Sequence, residues 1–115
     1  DFKGIKLLIL SENKIYMIES DVFRYLIELE ILKLNTNLLT NIDNTILGFL
    51  KKLTYLDLSF NKLFKIENYA FSELTKLKEF YLSYNKMETI KETYFQNLTS
   101  LEILEINNNK ISSVA

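Results

Sequence analysis

Serine recurs at Ser11, Ser59 and Ser83, and carboxylates stand at Asp57, Glu79 and Glu105. A serine hydroxyl becomes a nucleophile only beside a base, and two carboxylates share acid–base work only where they converge. The 115-residue chain has no histidine and no cysteine. The usual near-neutral base, the thiolate nucleophile and the thiolate zinc site are therefore all missing. Gly4 and Gly48 are the only glycines, so no glycine-rich loop cradles a phosphate. No Asp-rich loop gathers oxygens for calcium. These residues predict a protein that is not an enzyme, with no catalytic residue, no metal site and no cofactor. Aromatic and polar side chains that could make a contact surface remain, and their spacing comes from the elements that carry them.

Asn13, Asn37, Asn61, Asn85 and Asn109 are spaced 24 residues apart without insertion. Around them one frame recurs, as in Leu29, Leu32, Leu34, Asn37, Leu39 and again in Leu53, Leu56, Leu58, Asn61, Leu63. The first copy reads Ile5, Leu8, Leu10, Asn13, Ile15; the fourth reads Leu77, Phe80, Leu82, Asn85, Met87; the fifth reads Leu101, Leu104, Ile106, Asn109, Ile111. Each copy closes with an apolar tail such as Ile66, Phe71 and Leu74. The L-x-L step has a period of two, the mark of a short strand with one buried face. Its neighbours are the equivalent segments of adjacent copies, which predicts a parallel sheet. The rest of each copy is a loop or short helical piece returning across the core. Phe23, Phe71 and Phe95 should form an inner spine interrupted by Leu47. The asparagines belong where the chain leaves the sheet, because an amide has both donors and an acceptor for stranded backbone groups. Asn13, Asn37, Asn61, Asn85 and Asn109 are thus expected to be a structural ladder.

The pattern L-x-x-L-x-L-x-x-N-x-L, present in five phased copies from Ile5 onward, resembles the leucine-rich repeat. A 24-residue unit with Phe in its second half is similar to the typical subclass of Toll-like receptor ectodomains, small proteoglycans and Slit proteins. The chain departs from that subclass in having no proline, with Glu19, Asp43, Glu67 and Lys91 at positions where one often stands. The resemblance implies an α/β fold: a right-handed horseshoe arc with a parallel β-sheet on the concave face and loop or short-helix convex segments. Residues 1–115 read as a single domain of about five repeats starting near Ile5, Leu29, Leu53, Leu77 and Leu101. No cap sequence is visible at either end, which suggests a fragment of a longer array whose uncapped ends offer a route to self-association. The resemblance also implies an extracellular address, in a secreted protein or a cell-surface receptor ectodomain, with innate immunity among the roles this scaffold serves. The sequon Asn97-Leu98-Thr99 fits that address and makes Asn97 a candidate glycosylation site.

In a solenoid the outward residues of the strands form one continuous surface. Here it carries Tyr55, Phe60, Tyr81 and Tyr84 on turns three and four, with Asp57 among them and Lys33 on the turn before. Neighbouring strands lie about 4.8 Å apart, so the rings should touch. Aromatic rings with a polar tip are common interaction anchors. Leu7, Ile9 and Ile31 add an apolar stretch where an N-terminal cap would pack, and Lys14, Lys62, Lys86 and Lys110 line the sheet's edge with Leu38 breaking the row. Asp57, Glu79 and Glu105 share the concave face but are held apart in the open, an arrangement poorly suited to acid–base work. Fourteen basic residues against fifteen acidic ones give a net charge of −1, no field for binding nucleic acid. No apolar run is long enough for membrane insertion, and Asp1-Phe2-Lys3-Gly4 opens no leader peptide. The expected function is protein–protein recognition of a ligand or co-receptor through the concave face. The alternative is a structural, scaffolding or adhesion role.

Overall fold

The computed structural model describes residues 2–115. A five-stranded parallel sheet runs through it, built from β1 (Leu7–Ile9), β2 (Ile31–Lys33), β4 (Tyr55–Asp57), β6 (Glu79–Tyr81) and β8 (Ile103–Glu105) in that spatial order. The register steps by one 24-residue unit each time: Leu8 pairs with Leu32, Leu32 with Leu56, Leu56 with Phe80 and Phe80 with Leu104. Each strand is three residues long and centred on the first leucine of L-x-L, so that its middle residue points inward and its flanking residues outward. The central framework residue faces inward, and Leu32, Leu56 and Phe80 are fully buried.

The return segments differ in detail from a helix-backed sheet. Among the described residues the only helix is one 3-10 turn, Glu92–Tyr94. Elsewhere the chain crosses the core in successive four-residue turns, such as Leu50 N–H to Leu47 O at 3.0 Å and Leu53 N–H to Leu50 O at 3.1 Å. Two further pairs of very short strands form beside the main sheet. β3 (Asn41–Ile42) pairs with β5 (Lys65–Ile66), and β7 (Thr89–Ile90) pairs with β9 (Ser113–Val114), both parallel. They give the side-wall backbone partners between turns, an economy that irregular loops lack.

Leu47, Phe71 and Leu74 are fully buried and Phe23 nearly so, while Phe95 is half-buried. The phenylalanines do not stack ring on ring along the return segments. Phe80, which replaces a framework leucine, stands between two of them: its ring meets Phe71 edge-on at 4.7 Å and Phe95 at 6.2 Å. A ring at that strand position reaches across the core and ties the concave sheet to the return segments of two turns.

The asparagines hold the exit from the sheet. Asn61 donates through Nδ2 to Leu34 O at 3.0 Å and Leu58 O at 3.1 Å, and its Oδ1 accepts from Leu39 N–H at 3.0 Å. Asn37 and Asn85 repeat the same three bonds one turn earlier and one turn later. Each amide thereby satisfies backbone groups of its own turn and of the turn before. Among the described residues no buried side-chain nitrogen or oxygen lacks a partner.

Candidate functional site

The outward residues of the sheet bring together the side chains that sequence places on the concave face. Tyr55 and Asp57 leave β4, Glu79 and Tyr81 leave β6, and Glu105 leaves β8; the register sets Asp57 beside Tyr81 and Tyr81 beside Glu105. Tyr55 and Tyr81 meet on the diagonal, with ring centroids 5.3 Å apart and planes tilted by 46°. Phe60 and Tyr84 stack face to face at 4.3 Å with an 8° tilt. Lys33 on β2 places Nζ 5.6 Å from the Tyr55 ring centroid. An open hollow of about 390 Å³ lies here, with Tyr55, Asp57, Phe60, Tyr81, Tyr84 and Glu105 among its walls.

The Phe60–Tyr84 stack has a backbone cause that residue types do not announce. The residue before each ladder asparagine is in the left-handed region: φ is 57° at Glu12, 59° at Thr36, 56° at Phe60, 58° at Tyr84 and 55° at Asn108. Only asparagine among these types favours that region. The phase of the repeat was the signal available, since one conformation recurs wherever the frame recurs. The left-handed turn projects both rings from equivalent points of adjacent turns, one strand spacing apart, where they stack.

The Tyr81 hydroxyl donates to Glu79 Oε1 at 2.7 Å. This bond, then burial, raises the Tyr81 pKa above the ordinary phenol value. Burial raises the Tyr55 pKa too, followed by the charges of Asp57, Glu79 and Glu105. Both rings are therefore neutral at physiological pH. Asp57 Oδ1 accepts from the Ser59 N–H at 2.9 Å and from the Ser59 hydroxyl. Ser11 donates to Asn35 Oδ1 at 2.6 Å, and Ser83 donates to Asn107 Oδ1 on the next turn. Asp57 and Glu105 are two strands apart, about 10 Å, with Tyr81 between them. What this arrangement can do is present flat apolar area with polar rims on a rigid support.

Sequence reasoning missed the opposite flank. Phe64 and Tyr69 are exposed on the return-segment side, and Tyr69 has φ of 65°. A larger hollow of about 650 Å³ lies there, lined by residues including Ile27, Phe49, Tyr69, Lys51, Lys52 and Glu73. Two of its charges pair with each other, Lys52 with Glu28 at 2.6 Å, and Arg24 lies over the Phe49 ring at 5.9 Å. Its walls come from irregular turns, whereas the concave hollow stands on paired strands. No strong residue-level signal marked this flank, since Phe64 and Tyr69 fall outside the recurring frame. Asn97 is exposed on a turn after the 3-10 helix, with Leu98 anchored in the core and Thr99 exposed. Leu7 and Ile9 are exposed on β1, and among the described residues no helix is long and apolar enough to cross a membrane.

Comparison with known proteins closes the question of kinship. The leucine-rich repeat family matches residues 3–63 and 51–111. The chain belongs to the leucine-rich repeat family. Similar solved structures include the Drosophila Toll–Spatzle complex in its glycosylated form, with TM-score 0.87 and 28% identity over 92% of this chain and 16% of that one. The TLR13–ssRNA13 complex matches with TM-score 0.84 and 27% identity, over 98% of this chain and 19% of that one. The leucine-rich repeat domain of APL1B matches with TM-score 0.91 and 25% identity, over 96% and 33%. The leucine-rich repeat chain described here thus spans between about a sixth and a third of the length of these structures. A comparison with curated protein sequences finds no significant match.

Proposed function

We propose that this single domain of about five turns is a non-catalytic, extracellular protein-recognition module whose concave face binds a protein partner. The observation that carries this reading is the joined set of rings Tyr55–Tyr81 and Phe60–Tyr84 on adjacent strands of a preformed sheet. A partner docking there orders little of the receptor, so less binding energy is lost to entropy than on a flexible surface. The similarity to Toll, solved with Spatzle, supports an innate-immune or developmental receptor setting. The similarity to TLR13, solved with single-stranded RNA, raises nucleic acid as a rival ligand. Asp57, Glu79 and Glu105 on the same face weigh against it, because phosphates are bound by basic, not acidic, surfaces. Exposure of Asn97 supports glycosylation there in a secreted setting.

The test is capture of a partner from extracellular fluid, followed by affinity measurement with Tyr81→Ala and Tyr84→Ala. Each substitution should weaken binding by roughly 30-fold, the loss of about 2 kcal/mol typical of an aromatic anchor. Unchanged affinity in both variants would remove the concave rings from the binding surface.

A further inference from the structure

The ring-lined hollow is also acidic: Asp57 and Glu105 line it, and Glu79 adjoins it through its bond to the Tyr81 hydroxyl. Asp57, Glu79 and Glu105 come from three successive strands. The ion pairs among the described residues are Lys6–Glu30, Arg24–Asp21 and Lys52–Glu28, so none of the three concave carboxylates is neutralised by a basic side chain within ion-pair distance. Lys62 and Lys86, one residue past the ladder asparagines, are exposed and do not line the hollow. The rings are themselves suited to a cation. The Tyr81 hydroxyl donates a hydrogen bond to a carboxylate, which enriches its π-face in electron density, and the chain already holds one ammonium over Tyr55, that of Lys33. A ring face beside carboxylates attracts a cation both through its quadrupole and through charge.

We infer that the concave hollow receives an arginine or lysine side chain carried on a surface loop of a protein partner, docked on the Tyr55–Tyr81 rings between Asp57 and Glu105, with Glu79 adding charge beside it. This rests on the protein-recognition reading and specifies the chemistry of the partner. Two features of the face select this occupant over others. An acidic loop would meet three carboxylates with only Lys33 to offset them, and an apolar loop would bury those charges without a counter-charge, which is costly. A cationic side chain satisfies both the rings and the charges.

The experiment uses the 115-residue chain, isotope-labelled, titrated with the probe peptide acetyl-Gly-Arg-Gly-Arg-Gly-amide and with its Glu counterpart, while backbone amide shifts are followed. The arginine peptide should move the amides of residues 55–60, 79–84 and 103–108, and the glutamate peptide should leave them in place. Added salt should weaken the arginine titration. Tyr81→Leu should weaken it about two- to fivefold, as expected for an exposed cation–π contact. The double variant Glu79→Gln with Glu105→Gln should weaken it similarly, and because glutamine still accepts the Tyr81 proton, a loss there reports charge and not ring position. Unmoved concave amides, equal response to both peptides, or shifts confined to residues 43–52 and 67–76 would each overturn the inference. Loss of partner affinity in Tyr81→Ala is read independently, so the recognition surface can stand while its cationic occupant falls.

Discussion

Thr36, Phe60 and Tyr84 all occupy a backbone region that their side chains disfavour, and each is held there by the same repeat geometry. The cost is roughly 1–2 kcal/mol for a residue other than glycine, largest for a β-branched one such as Thr36. At Phe60 and Tyr84 the stacked pair returns roughly 0.5–1.5 kcal/mol and places two rings on the recognition face. At Thr36 no ring contact offsets it. Thr36→Asn, which installs the type already present at Asn108, should therefore stabilise the protein by about 1 kcal/mol and raise the melting temperature by about 4 °C in a thermal unfolding scan. An unchanged or lower melting temperature would mean that the left-handed turn stores no strain at this position. Strain kept where a surface must be shaped is a familiar trade of stability for function.

At the scale of the turn, the element that makes a strand exit possible is the asparagine amide. Asn61→Ala would leave the buried Leu39 N–H without a partner and strip one of two amide donors from Leu34 O and from Leu58 O, which keep Asn37 and Asn85 respectively. At about 1–3 kcal/mol for the one unsatisfied N–H and about 0.5–1.5 kcal/mol for each of the two other bonds lost, the variant should lose about 2–6 kcal/mol in urea unfolding, and a loss under about 1 kcal/mol would show that water replaces the amide. The 24-residue spacing of these asparagines, with L-x-L before each, was enough to locate every strand of the main sheet and to put Tyr55, Phe60, Tyr81 and Tyr84 on one surface. Other features were not legible, for physical reasons. A two-residue strand such as β3 or β5 cannot display alternation, so Ile42 and Ile66 announced burial but not pairing. The left-handed φ at Phe60 is imposed by the repeat against the residue's own preference. The role of Phe80 as a wedge between Phe71 and Phe95 depends on ring directions that a one-dimensional pattern does not carry.

The whole molecule measures 44 × 31 × 22 Å, and its turns are supported chiefly by their immediate neighbours. Equivalent positions therefore differ in burial according to how many neighbours they have: Leu56 is 0% exposed and Leu104 is 36% exposed, although both fill the same slot of the frame. Leu56→Ala should cost about 2–5 kcal/mol, whereas Leu104→Ala, already partly hydrated, should cost roughly 1 kcal/mol or less. Denaturant midpoints of the two variants check this, and equal losses would contradict stabilisation by nearest neighbours. The same architecture gives the molecule two faces with opposed aromatic content. One is a strand-supported concave set, Tyr55, Phe60, Tyr81 and Tyr84; the other is a turn-supported set that includes Phe64 and Tyr69. Hydroxyl-radical footprinting of the protein, free and with its captured partner, compares them in one measurement, since solvent-exposed aromatic rings oxidise readily. Binding through the concave sheet predicts slower oxidation of Tyr55, Phe60, Tyr81 and Tyr84 with Phe64 and Tyr69 unchanged. Protection of Phe64 and Tyr69 with the concave rings still reacting at their free rates would contradict it.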